Sequence, residues 1–192
     1  LAILDDGREV FPLYEGKMLW HFDHRYGSYV GQTEKQANKG VLPHVDDDAH
    51  DDPEFRIQPR YWVEAEKVQA ALGIERSRNW FFTWRDVGPL ERTFIGTICP
   101  KAAIGDLPIL ISSYGARSIA ALTAVLTSLV VDFDARQRSN RMKLFVVEQL
   151  AVLTPETLTE FRPWLGDSAR DWLADRVHEL CYTNVELATF AE

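Results

Sequence analysis

The sequence predicts a mixed α/β domain of the α+β kind: a curved mixed sheet flanked by helices, with a helical C-terminal tail. Three observations predict it. Trp80-Phe81-Phe82-Thr83-Trp84 is an aromatic run with strand character, and residues 93–99 follow as a second apolar strand. Apolar residues recur every three to four positions over residues 118–136. Thr154-Pro155-Glu156 has the form of a helix start, an N-cap followed by proline, ahead of an amphipathic stretch.

Taken in order, residues 17–23 alternate as a half-buried strand, and 26–30 return as its partner with a turn near Gly27. Residues 33–54 are polar and carry Asp46, Asp47, Asp48, Asp51, Asp52 and Glu54, which predicts a solvated loop. Residues 59–63 read as extended, and 64–72 as a helix stopped by Gly73. Residues 80–87 and 93–99 are strands, the second ended by Pro100; 110–112 form a third after Pro108. Residues 118–136 are the main helix, and 143–149 are read as the strand that leaves it. Residues 167–182 form an amphipathic helix carrying Trp172, Leu173, Val177 and Leu180, and 184–190 a short last one. This order divides the chain into an α/β domain over residues 1–153 and a helical extension over 154–192 packed on it.

A chain of 192 residues with 46% apolar content suits one medium domain with a sizeable core. Its apolar stretches fall short of the roughly 20 residues that a membrane span needs, so no membrane partner is expected. No signal peptide is visible. Cys99 and Cys181, far apart, read as reduced, buried thiols of a cytoplasmic protein. A net charge of -8 argues against a general nucleic-acid binder, yet allows a module that touches DNA with one face. The first residue is Leu1 rather than Met, which suggests a piece of a longer protein.

No glycine-rich dinucleotide or phosphate loop, nucleophile elbow or zinc-protease motif is present, so no catalysis, metal or cofactor is assigned to this chain. Glu15-Gly16-Lys17 with Asp5 and Asp6 upstream imitates a metal-dependent nuclease, in which Asp6 and Glu15 would hold Mg²⁺ and Lys17 would assist water. The plainer reading is a turn. His44, Asp46, Asp47, Asp48, His50, Asp51 and Asp52 lack the ordered spacing of a calcium loop. His21 and Asp23 would share one strand face, with His24 on the other, as hydrogen-bonding or DNA-facing groups rather than metal ligands.

The charge pattern is sharpest at Arg136, Arg138, Arg141 and Lys143, interleaved with Gln137, Ser139 and Asn140 and with no acid between them. Such a cluster in an acidic chain points to an anion, nucleic acid first. The plainer reading is a positive helix C-terminus, which the macrodipole favours. Arg85 and Arg92 stand at strand ends, where a planar guanidinium can read guanine or clamp phosphate; pairing with Asp86 or Glu91 is the alternative.

Five segments together carry a resemblance: Tyr14-Glu15-Gly16-Lys17-Met18 with Phe22-Asp23-His24-Arg25; Pro59-Arg60-Tyr61-Trp62-Val63; Arg85-Asp86-Val87 with Glu91-Arg92-Thr93; Leu126 to Asp132 with Ala135-Arg136-Gln137; and Phe145 to Leu150 with Glu179 to Thr183. In this order they resemble the region downstream of the catalytic domain in large adenine-specific DNA methyltransferases and Type IIG-like restriction–modification enzymes. That region is similar to the DNA-reading domains of Type I specificity subunits. Ala151 stands where the family more often has proline. The resemblance implies a non-catalytic target-recognition domain that binds double-stranded DNA. It implies a covalently linked upstream methyltransferase domain, with S-adenosylmethionine, and Mg²⁺ if DNA is also cut, bound there. The residues expected to face DNA are His24, Arg25, Arg60, Arg85, Arg92, Arg136, Arg138, Asn140, Arg141 and Lys143. The alternatives are a protein-interaction domain of a phage-defence complex and the nuclease above.

Overall fold

The computed structural model describes residues 1–72, 78–89, 91–110 and 112–192. Gly73, expected to stop a helix, and Ile111, in the middle of an expected strand, lie outside the described residues.

The chain opens with an antiparallel hairpin of β1 (Ala2–Ile3) and β2 (Glu9–Tyr14) that the sequence reading does not contain. Its loop is Asp5-Asp6-Gly7: the Gly7 amide closes the turn on the Leu4 carbonyl, and Gly7 sits at φ 83, a conformation open to glycine without penalty. Residues 17–23 are not the expected strand. Gly16–Met18 is a 3-10 turn, Trp20 and Asp23 form an isolated bridge, and Phe22 sits at φ 60. The 3-10 turn and the positive φ at Phe22 break the extended backbone, and Met18 and Leu19 are both buried.

The acidic stretch is exposed, as expected, but holds two short capped helices, α1 (Glu34–Asn38) and α2 (Asp47–Asp51). Thr33 accepts from the Gln36 amide and Asp46 from the Ala49 amide. After them, β3 (Trp62–Glu64) pairs antiparallel with β2, and α3 (Ala65–Leu72) follows. The second sheet is centred on β4 (Trp80–Trp84), with β5 (Gly96–Pro100) antiparallel along its whole length. Then β6 (Ala103–Ile104) joins β2 in parallel, and β7 (Ile109–Leu110) pairs with the other edge of β4. The class is therefore α+β as expected, with the strands so far divided between a four-stranded and a three-stranded sheet; a two-stranded hairpin nearer the C-terminus makes a third.

The expected helix over 118–136 is two helices, α4 (Ala116–Leu126) and α5 (Leu129–Arg138), bent by 63°. Thr123 and Thr127 hydroxyls bond the carbonyls one turn back, which loosens the ladder, and Ser128 caps α5 at the Val131 amide. The expected strand over 143–149 is instead a helical turn, α6 (Leu144–Val147). Val146 and Leu150 face the core at helical spacing, while Leu144 and Phe145 face solvent. The helix start at Thr154 is observed: its hydroxyl accepts from the Thr157 amide at the head of α7 (Pro155–Thr159). A hairpin of β8 (Phe161–Arg162) and β9 (Asp167–Ser168) leads into α8 (Ala169–Cys181), which packs along α4; a 3-10 turn (Val185–Leu187) and α9 (Ala188–Ala191) end the chain.

The main core joins Trp80, Phe82, Trp84, Phe94 and Ile98 of the β4–β5 region to Ile119, Ala120, Val177 and Phe190 from the helices. Trp80, Phe81, Phe82 and Trp84 are all buried, as expected of that run. Cys99 and Cys181 are free and buried; burial pushes the Cys181 thiol up to about 12 and Cys99 well above its usual value. Among the described residues no single helix is long and apolar enough to cross a membrane.

Arg25 knits distant segments together. Its side chain is fully buried and donates to the carbonyls of Asp52 (2.9 Å), His50 (2.8 Å) and Thr183 (2.8 Å), with Ala49 and Phe55 at 3.4 Å. A methionine there would fill the space and leave those carbonyls unpaired. Arg25→Met is expected to cost on the order of 3–5 kcal/mol in urea unfolding. A cost under about 1 kcal/mol would show that the network is not structural.

Candidate nucleic-acid interface

The basic segment is positioned by the end of β4. The buried Trp84 indole donates from Nε1 to the Met142 carbonyl at 2.7 Å, and the Met142 amide donates to the Asp86 carbonyl at 2.7 Å. Val87 and Arg141 form a bridge. Below them lies the Asp86 carboxylate, its side chain 7% exposed, with Oδ2 accepting from Arg141 Nη2 (2.6 Å) and Lys143 Nζ (2.9 Å). Burial alone raises the Asp86 carboxyl, but hydrogen bonds from Lys143 and Arg141 outweigh it and hold the group below the usual carboxylate range.

A second buried carboxylate does the same for α5. Asp132, 7% exposed, accepts the Thr93 and Phe94 amides on Oδ1 at 2.7 and 2.8 Å, fixing the entry to β5. Its Oδ2 lies 3.4 Å from Arg136, which also donates to the Glu91 carbonyl (2.7 Å) and Thr93 Oγ1 (3.2 Å). Arg138 pairs with Asp134 at 3.1 Å. So the four cations that stand in sequence without an acid among them each have a carboxylate in space. The pairing does not hide them: the Arg141 and Lys143 side chains remain 58% and 43% exposed over the buried Asp86. Asn140 is exposed beside them, and the same stretch presents Phe133 at 66% and Phe145 at 64% exposure.

Other expected DNA-facing residues fare differently. His24 and Arg25 are fully buried, which removes both from any solvent-facing surface. Neither ring nitrogen of His24 has a partner, and burial pushes its pKa down to about 3, so it is a neutral core group. Arg60 is exposed and lies over the Tyr61 ring at 5.2 Å. Arg85 is half-buried, donates to the Leu19 carbonyl, and stacks over Trp20 (4.9 Å) and Tyr26 (5.8 Å). It lines an open cleft of about 330 Å³ together with Glu15, Lys17, Asp106 and Arg141. Arg92 is half-buried. Neither Arg85 nor Arg92 has a carboxylate partner among the described residues.

The nuclease arrangement does not assemble. Asp6 is paired with Arg8 at 2.8 Å and Glu15 accepts from the Tyr29 hydroxyl at 2.5 Å. The whole of β2 runs between the two acids, roughly 20 Å at 3.3 Å per residue. Among the described residues no group of three or more His, Cys, Asp or Glu side chains could share a metal.

Sequence reasoning missed Asp86 and Asp132 as the anchors of the patch. The i,i+4 spacing of Asp132–Arg136 and Asp134–Arg138 was a usable signal. The Asp86–Arg141 pair, 55 positions apart, left none. Searches against protein-family models, curated proteins and solved structures find no match to this chain.

Asp86→Asn removes the charge that holds Arg141 and Lys143 while keeping the side-chain size. The expected result is a loss of about 1–3 kcal/mol in urea unfolding and faster hydrogen exchange across residues 139–143. Unchanged exchange there would mean that the backbone contacts of Met142 suffice.

Proposed function

We propose that this chain is a DNA target-recognition domain of a larger adenine-specific DNA methyltransferase or restriction–modification enzyme. It binds double-stranded DNA and performs no chemistry of its own. The observation that carries the reading is the layering of charge around Asp86: a buried carboxylate beneath, with exposed, pre-oriented cations above. Cations fixed in this way lose little side-chain entropy on meeting a phosphate. Phe133 and Phe145, exposed on the same stretch, offer apolar groups of the kind that pack on sugars or wedge between base steps. Arg138, Asn140 and Arg141 are the groups best placed for base edges, since guanidinium and amide forks match guanine and adenine. Methyl transfer on adenine, with S-adenosylmethionine, belongs to the linked domain; this one holds the duplex while the base is flipped.

A second reading has its own support. Leu129, Val130, Phe133, Leu144 and Phe145 are all exposed on α5 and α6, and such a surface also suits a protein partner in a phage-defence complex.

Mobility shift at low and moderate salt separates the two. Arg138→Ala with Arg141→Ala is expected to weaken duplex binding about tenfold or more and to flatten the salt dependence by about two charges. If affinity and salt slope are unchanged, the patch is structural and the protein-partner reading stands.

A further inference from the structure

Helix α4 places Ile119, Leu122 and Val125 at helical spacing along one side, and that side is incompletely covered. Ile119 is buried, but Leu122 and Val125 are only half-buried. The chain passes over them as residues 151–154, which form neither helix nor strand. Helix α7, five residues long, adds the buried Leu158. A bare crossing segment covers less of a helix than a packed helix does, and a hollow is left on each side of it. One, of about 350 Å³, is lined by Tyr114, Ile119, Leu122, Leu158 and Arg170. The other reaches from Val125 to Val131 and Leu173. Val152 and Leu153 border both, and each is only partly covered, at 40% and 50% exposure.

Size and charge define what the first hollow takes. An engineered apolar cavity of about 150 Å³ holds benzene, so this one has room for about eight to twelve carbon atoms. The chain carries 29 acidic residues, yet among the described residues that line the two hollows the one formal charge is that of Arg170. Arg170 is oriented from one edge: Nε and Nη2 donate to Asp171 at 3.2 and 2.9 Å, and Nη1 has no partner among the described residues. Asp171 is itself shared with Arg117 at 2.7 Å and with the Ser168 hydroxyl at 2.6 Å, while Arg117 also meets the more exposed Asp175. It therefore holds Arg170 in place without taking all of its donors. A sugar or a phosphate would set its oxygens against Ile119, Leu122 and Leu158, which can pair with none of them. An alkyl chain gains from the same walls, and a carboxylate at its end matches the free edge of the guanidinium.

We infer that this hollow binds a medium-chain monocarboxylate, its alkyl chain along Ile119, Leu122 and Leu158 and its carboxylate at Arg170. The site shares no residue with the patch around Asp86 and is independent of the DNA reading.

The test is a titration of the whole chain with octanoate at pH 7 and constant ionic strength, followed by methyl ¹H–¹³C NMR. The expected result is a saturable shift of the Ile119, Leu122, Leu153 and Leu158 methyl signals. Affinity is expected to fall roughly tenfold or more in Arg170→Gln, to be largely retained in Arg170→Lys, and to be roughly tenfold lower for 1-octanol on the unaltered protein. The alcohol removes the charge from the ligand instead of the protein, so the test stands even where Arg170→Gln fails to fold. Leu122→Trp, which fills the hollow, is expected to abolish binding. Shifts that do not saturate, shifts confined to other methyl groups, or 1-octanol binding as tightly as octanoate overturn the site. Octanoate binding that is unchanged in Leu122→Trp overturns it as well.

Discussion

The end of strand β4 is where the helical layer is tied to the sheet. Trp84 is buried in the core and uses its indole N–H on Met142; two residues on, Asp86 gives its carbonyl to the Met142 amide and its carboxylate to Arg141 and Lys143. Neither half is stable alone. A buried carboxylate without cations pays for its lost hydration, and a loop of Arg, Ser, Asn and Arg would not hold one shape in water. Joined, they fix the direction in which α5 ends and α6 begins, and with it a stretch that presents exposed cations beside the exposed Phe133 and Phe145.

Cations in this protein serve two ends. Arg25 is consumed by carbonyls; it sets the scaffold and is shielded from solvent. Arg136, Arg138, Arg141 and Lys143 are tethered from below and open above. Arg25, Asp86 and Asp132 join segments that are distant in sequence to one another across the fold. Under the proposed function, a scaffold built this way can stay constant while the exposed side chains between the anchors vary with the DNA sequence.

Local signals in the sequence were reliable where a local cause fixes the structure. The Thr154-Pro155 start, the helix that ends at Cys181 and the aromatic strand Trp80–Trp84 are all present. The failures have physical reasons. Phe145-Val146-Val147 has strand propensity, but the core takes Val146 and Leu150 at helical spacing, so tertiary contact overrides propensity. Residues 17–23 alternate in polarity, yet Met18 and Leu19 are both drawn into the core and the turn at Phe22 breaks the strand. The bend after Leu126 was announced by Thr127 and Ser128, and the first hairpin by Asp6-Gly7; both signals are short and were outweighed by longer patterns. For the site, charge was legible and pairing was not, since Asp86 reaches its partners across 55 positions.

Under the proposed function, the face around Asp86, Arg141 and Lys143 meets DNA. Photo-crosslinking of the chain to a short duplex carrying 5-iodouracil, followed by mapping of the attached peptides, addresses this directly. The account predicts attachment within residues 133–145 and, secondarily, at residues 85–92. Attachment confined to residues 164–176, or none at a concentration where the duplex is bound, would contradict it.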